Sequence, residues 1–149
     1  MKELQLVSFE QAQRLKAAGF SWDCETFYQD GSIDNCHNMI NYNTNEGYDE
    51  DRKEDYSYFG EDDGVCSAPT TALALKWMRD VHYLFGEVKI GNEPRGLFFF
   101  EVFSKYGEFL CGSYLEGDDF SGHYDTYEEA ESALLDELLN VLKTKKLNK

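Results

Sequence analysis

The chain has 149 residues, 42% hydrophobic and 15% aromatic, with 29 acidic against 14 basic side chains for a net charge of −15. A chain of this length can bury about 70% of its unfolded surface, and its apolar content is too high for a disordered chain. The charge opposes contact with phosphate backbones and anionic membranes, which leaves basic protein surfaces, cations or no particular partner.

The first element is a helix. Ser8 is a good N-cap with Gln11 three residues on, and Gly19 supplies the stop. Phe9, Ala12, Leu15 and Ala18 share one face of it. The opening "MKELQLVSFEQAQ" is broken by charge and has no apolar h-region, so a secretory leader is not expected. "WDCETFYQDG" (22–31) reads as a strand running into an Asp-Gly turn. Residues 30–66 are then polar and turn-rich, and are expected to form an irregular acidic insert. Short strands around 39–42 and 56–59 are one way such a long segment could be ordered.

The remainder is more regular. "SAPTTALALKWMRDVHYLF" (67–85) opens with a Pro/Thr helix start, and Leu73, Trp77 and Val81 recur every four residues with Met78 beside them. Strands are expected at about 84–90, 96–104 and 107–115, separated by the turn-like "GNEPRG" and "KYGE". Thr126 with Glu129 forms a second capping box. The helix it starts would bury Tyr127, Ala130, Leu134, Leu138, Val141 and Leu142. The expected fold is α+β in a single domain: a helix–strand start (1–29), the insert (30–66), a helix–meander–helix core (67–142) and a basic tail (143–149).

The middle strand of the meander is apolar on both faces. Phe98, Phe100 and Val102 point one way, with Leu97, Phe99 and Phe103 pointing the other. The two helices can cover one face, so the other is expected to meet the N-terminal helix or a second copy in a homodimer.

Two resemblances follow from these stretches. The order helix, three antiparallel strands, helix over 67–142 is similar to the topology of the double-stranded-RNA-binding domain. That family opens its last helix with phosphate-gripping lysines. The matching positions here are Tyr127, Glu128, Glu129, Ala130 and Glu131, so RNA binding is not expected. In sequence, "LVSFEQAQRLKAAGFSWDCETFY" (6–28), "APTTALALKWMRDVH" (68–82) and "YDTYEEAESALLDELLNVL" (124–142) resemble small uncharacterised phage and prophage proteins of gut Bacteroidales. That resemblance implies a phage accessory protein in the bacterial host cytoplasm and carries no activity with it.

Four cysteines, Cys24, Cys36, Cys66 and Cys111, form no repeated CxxC unit. A metal set drawn from Cys24, Cys36, His37 and Cys66 has no common zinc spacing, and separate free thiols are expected instead. No nucleophile elbow or comparable signature surrounds any Cys or Ser near His37, His82 or His123, so an enzyme is not expected. "GEDDG" (60–64) and "EGDDFSGHYD" (116–125) lack the alternating ligands of an EF-hand. No metal and no cofactor is expected.

The distinctive stretch is "NEGYDEDRKEDYSYFGEDDG" (45–64), with nine acids, two bases, three tyrosines and a phenylalanine. Two readings stand. It is a solvated loop that supplies charge, or it mimics a phosphate backbone on a host protein with a basic surface. In the second, Asp49, Glu50, Asp51, Glu54, Asp55, Glu61, Asp62 and Asp63 supply charge, and Tyr48, Tyr56, Tyr58 and Phe59 anchor the contact. The expected function is a non-enzymatic, protein-binding phage accessory protein that inhibits a nucleic-acid-handling factor by mimicry. The alternative is a structural or oligomeric phage protein whose acidity serves solubility.

Overall fold

A computed structural model describes residues 4–35, 65–91, 98–113 and 123–147. Over these residues the fold is α+β, with three helices and two three-stranded antiparallel sheets. The chain clusters into two compact units, Met1–Thr70 and Thr71–Lys149.

In the first unit, α1 (Phe9–Ala18) is closed by the reciprocal capping box read from the sequence. The Ser8 hydroxyl accepts from Gln11 N–H at 3.1 Å, and Gln11 Oε1 accepts from Ser8 N–H at 3.0 Å. Strands β1 (Thr26–Gln29) and β2 (Ser32–Asn35) form a hairpin through Asp30 and Gly31, both at positive φ (50° and 85°). That pair of left-handed residues is the type I′ geometry that matches strand twist, and Asp-Gly is among the pairs that adopt it most readily. On its other edge β1 takes β3 (Val65–Ser67), with Tyr28 opposite Cys66.

The helix turns its buried residues, Gln11, Ala12 and Leu15, into this unit. Lys16 Nζ donates to the Val65 carbonyl at 2.7 Å, and the Tyr28 hydroxyl donates to the Val7 carbonyl at 2.7 Å. Val7, Phe20, Phe27, Val65 and Ala68 complete the core. Neither β2 nor β3 is evident in the sequence. The first is exposed, and the second exists only through a partner nearly forty residues earlier.

In the second unit, α2 (Thr71–His82) buries Thr71, Ala74, Trp77 and Met78. This is a rotation from the face expected around Leu73, Trp77 and Val81: Leu73 is half-buried and Val81 is 44% exposed. The helix ends without glycine. Tyr83 takes φ 55°, and Leu84 N–H returns to the Met78 carbonyl at 3.2 Å, which ties the fully buried Leu84 under the last turn.

Strands β4 (Phe85–Ile90), β5 (Phe98–Phe103) and β6 (Phe109–Gly112) form the expected meander. Helix α3 (Tyr127–Leu147) starts at the Thr126–Glu129 capping box. It buries Ala130, Leu134, Leu135, Leu138, Leu139 and Leu142. The stripe is wider than expected through Leu135 and Leu139, while Tyr127 is exposed and Val141 half-buried.

Phe100 and Val102 lie buried on the α3 side of the sheet. Gly86, opposite Val102, lets α3 approach: a Cβ there would fall 2.5 Å from Leu134 Cδ1. Gly86→Ala should therefore cost about 1–3 kcal/mol by overpacking. Leu134→Ala should cost about 2–5 kcal/mol through the cavity it leaves. Because the second change removes the clash of the first, the double variant should be less destabilised than the sum of the two. Strictly additive costs in urea unfolding would contradict this contact.

Candidate protein-binding surface

The residues singled out for partner binding, Tyr48 to Asp63, lie outside the described residues, as do Cys36 and His37. The surface that can be built comes from the second unit. Side chains alternate across β5, so Phe99, Glu101 and Phe103 occupy the face opposite Phe100 and Val102. Register places Lys89, Glu87 and Phe85 of β4 opposite them in turn.

On β6 the register slips by one residue between Val102 and Phe103. Val102 faces Cys111, whereas Phe103 faces Phe109, and Leu110 is the extra residue of a bulge. Without the bulge, Leu110 would stand opposite Phe103. The bulge therefore sets up an aromatic row, Phe85–Phe103–Phe109, across all three strands. The Phe103 and Phe109 rings meet edge to face at 6.0 Å, and Phe109 is 59% exposed.

Charge borders this row. Lys89 Nζ lies 2.5 Å from Glu101 Oε2 and 3.6 Å from Glu87 Oε2, and 5.8 Å from the centre of the Phe103 ring. The hydrogen bond to Glu101 holds the Lys89 ammonium above its ordinary pKa. Beyond the row, Tyr106 is 79% exposed at the β5–β6 turn, and Lys105 sits over both its ring and that of Tyr83 (4.8 and 5.5 Å).

The start of α3 repeats the pairing of acid and aromatic. Tyr127 packs its ring edge on Phe98 at 5.9 Å while remaining exposed, with Glu128 and Glu129 exposed beside it. Burial, and then the neighbouring Glu128, raise the Glu131 carboxyl above its usual range.

The described cysteines, Cys24, Cys66 and Cys111, are free thiols. Burial raises all three pKa values, the opposite of the depression that activates a thiolate nucleophile. Cys111 is pushed up to about 11, by burial first and then by Glu137, whose carboxylate accepts from its Sγ at 3.5 Å. Among the described residues no group of three or more His, Cys, Asp or Glu side chains could hold a metal ion. None of their helices is long and apolar enough to cross a membrane.

No protein-family model, curated protein or solved structure matches the chain.

The Cys111 environment has a measurable consequence. An ordinary thiol ionises near 9.0, whereas this one holds its proton to about 11. The folded state then keeps a proton that the unfolded chain gives up. Its contribution to stability is complete below pH 9.0 and is lost as pH rises towards 11. Iodoacetamide labelling of Cys111, followed by peptide mass, should show a midpoint near pH 11. Glu137→Gln should lower that midpoint. A midpoint at the ordinary 9.0 in the unchanged protein would contradict this environment.

Proposed function

We propose that this chain is a non-enzymatic phage accessory protein that binds a basic protein surface, with carboxylates supplying long-range attraction and exposed aromatic side chains anchoring the contact. The observation that carries the reading is the row Phe85–Phe103–Phe109, exposed at both ends and half-buried at Phe103, set beside carboxylates in a chain of net charge −15. Isolated exposed apolar residues are common on soluble proteins. A row of three aligned phenylalanines is of the aromatic kind enriched in the cores of interfaces. The charge favours fast, salt-sensitive association with a positive partner and repels nucleic acid itself.

In this reading the acid-rich 45–64 stretch supplies negative charge from the sequence of the first unit. The second unit supplies its own, through the acids at 128, 129 and 131 of α3 next to the exposed Tyr127. A host factor that handles nucleic acid presents the matching basic channel, and occupation of that channel would inhibit it by mimicry.

The test is capture of partners from host lysate at low and high salt. A partner should be retained at low salt and released at high salt. It should be lost when Asp49, Glu50, Asp51, Glu54 and Asp55 are neutralised to Asn or Gln. Phe109→Ala, at an exposed site, should weaken capture by about tenfold or more without unfolding the chain. No salt-sensitive partner, or full capture after neutralisation, would overturn the reading.

A further inference from the structure

The sheet of the second unit has a second feature, independent of any basic partner: the outer edge of β4. Strand order is β4-β5-β6, and no strand among the described residues pairs with that edge. Which backbone groups face outward follows from β5. Phe98 exchanges both backbone hydrogen bonds with Tyr124 (2.9 and 2.8 Å). Phe100 accepts from Ser113 N–H at 3.0 Å and donates to its hydroxyl at 3.0 Å. Both residues thus direct their backbone groups away from β4. Alternation leaves Phe99, Glu101 and Phe103 to bond β4, through their partners Lys89, Glu87 and Phe85. The N–H and C=O groups of Gly86, Val88 and Ile90 therefore point outward.

We propose that this edge is a self-pairing surface. Two copies join β4 to β4 in antiparallel fashion about a two-fold axis at Val88, merging their three-stranded sheets into one continuous sheet. The outward groups must face each other, so the symmetric pairings that keep most of the strand centre on residue 87, 88 or 89. An axis at 87 sets Glu87 directly against Glu87 of the second copy, and an axis at 89 sets Lys89 against Lys89. Like charges directly opposite are destabilising. An axis at Val88 instead places Glu87 of each copy opposite Lys89 of the other, so charge complementarity selects both the occupant and the register.

Packing agrees with that choice. The same register puts Ile90, which is 71% exposed, opposite Gly86 of the second copy, on the face covered by α3. Gly86 has no side chain to obstruct it, and Leu134 is the apolar group beside it. Since the axis runs perpendicular to the sheet, both α3 helices fall on one side of the joined sheet. The two Phe85–Phe103–Phe109 rows fall together on the other.

A charge exchange tests the proposal in about 0.15 M salt, where a Debye length of about 8 Å screens the repulsion between the bodies. By light scattering over a concentration series, the unchanged chain should form a reversible dimer. E87K alone and K89E alone set like charges opposite each other and should remain monomeric. Their equimolar mixture restores both oppositely charged contacts and should dimerise. A chain that stays monomeric throughout, or single variants that dimerise like the unchanged chain, would overturn the proposal. Val88→Cys gives a second readout that leaves the charges in place. With oxidised glutathione it should yield a covalent dimer whose unreduced peptide joins position 88 to position 88, the separation across such a pair being about 5.5 Å. A dimer without that linkage would refute the register.

Discussion

The second unit is organised by a mismatch in β5, which is apolar on both faces while α3 lies against only one of them. Phe100 and Val102 are buried on the α3 side, and Leu134 reaches the backbone of β4 through the space that Gly86 leaves. Each fully buried side chain of this kind contributes roughly 1.5–3 kcal/mol, so the α3 side is the one that holds the layer together. The opposite face keeps Phe99 and Phe103 half-buried and Phe109 largely exposed, with Lys89 drawn across it by Glu101. The aromatic row, its charged border and the outward groups of β4 all follow from the position of β5 as the central strand.

The acidity of the chain acts on this frame without building it. The ion pairs that border the sheet remain open to solvent, half-buried at Lys89–Glu101 and more exposed at Lys89–Glu87, and solvent-screened pairs contribute little to stability. Their effect is to decide what can approach: positive surfaces are attracted, and another negatively charged chain is admitted only where charges alternate along an edge. Glu87 and Lys89 alternate in this way along β4. Edge strands are commonly protected by charge, and a self-complementary pair of charges admits one pairing while disfavouring its neighbours.

Local signals were the legible part of the sequence. Both capping boxes, Ser8–Gln11 and Thr126–Glu129, the Asp30–Gly31 turn and the three strands of the meander depend on residues close together in the chain, and the structure has them where the sequence places them. What was not legible depends on distant partners. Strand β3 is three residues defined by pairing with β1, and β2 is a short stretch with Ser32, Ile33 and Asp34 exposed. Counting in steps of four picks Leu73 and Val81 for the buried face of α2, whereas packing selects Thr71 and Ala74 beside the shared Trp77 and Met78. Tyr83 occupies a left-handed position where glycine would have marked the helix end. The pairing of Phe109 with Phe103 needs a bulge that no residue type announces. The aromatic row is therefore not legible in the sequence, although the two-faced apolarity of β5 points to the strand that carries it.

Residue-resolved amide hydrogen exchange reads directly which β4 amides face β5 and which face outward. Glu87 and Lys89 should be protected at every protein concentration, because their amides bond β5. Val88 and Ile90 should exchange quickly in dilute solution and become protected as concentration rises and the edges pair. Equal protection of all four amides at every concentration, or fast exchange of Glu87 and Lys89, would contradict the account.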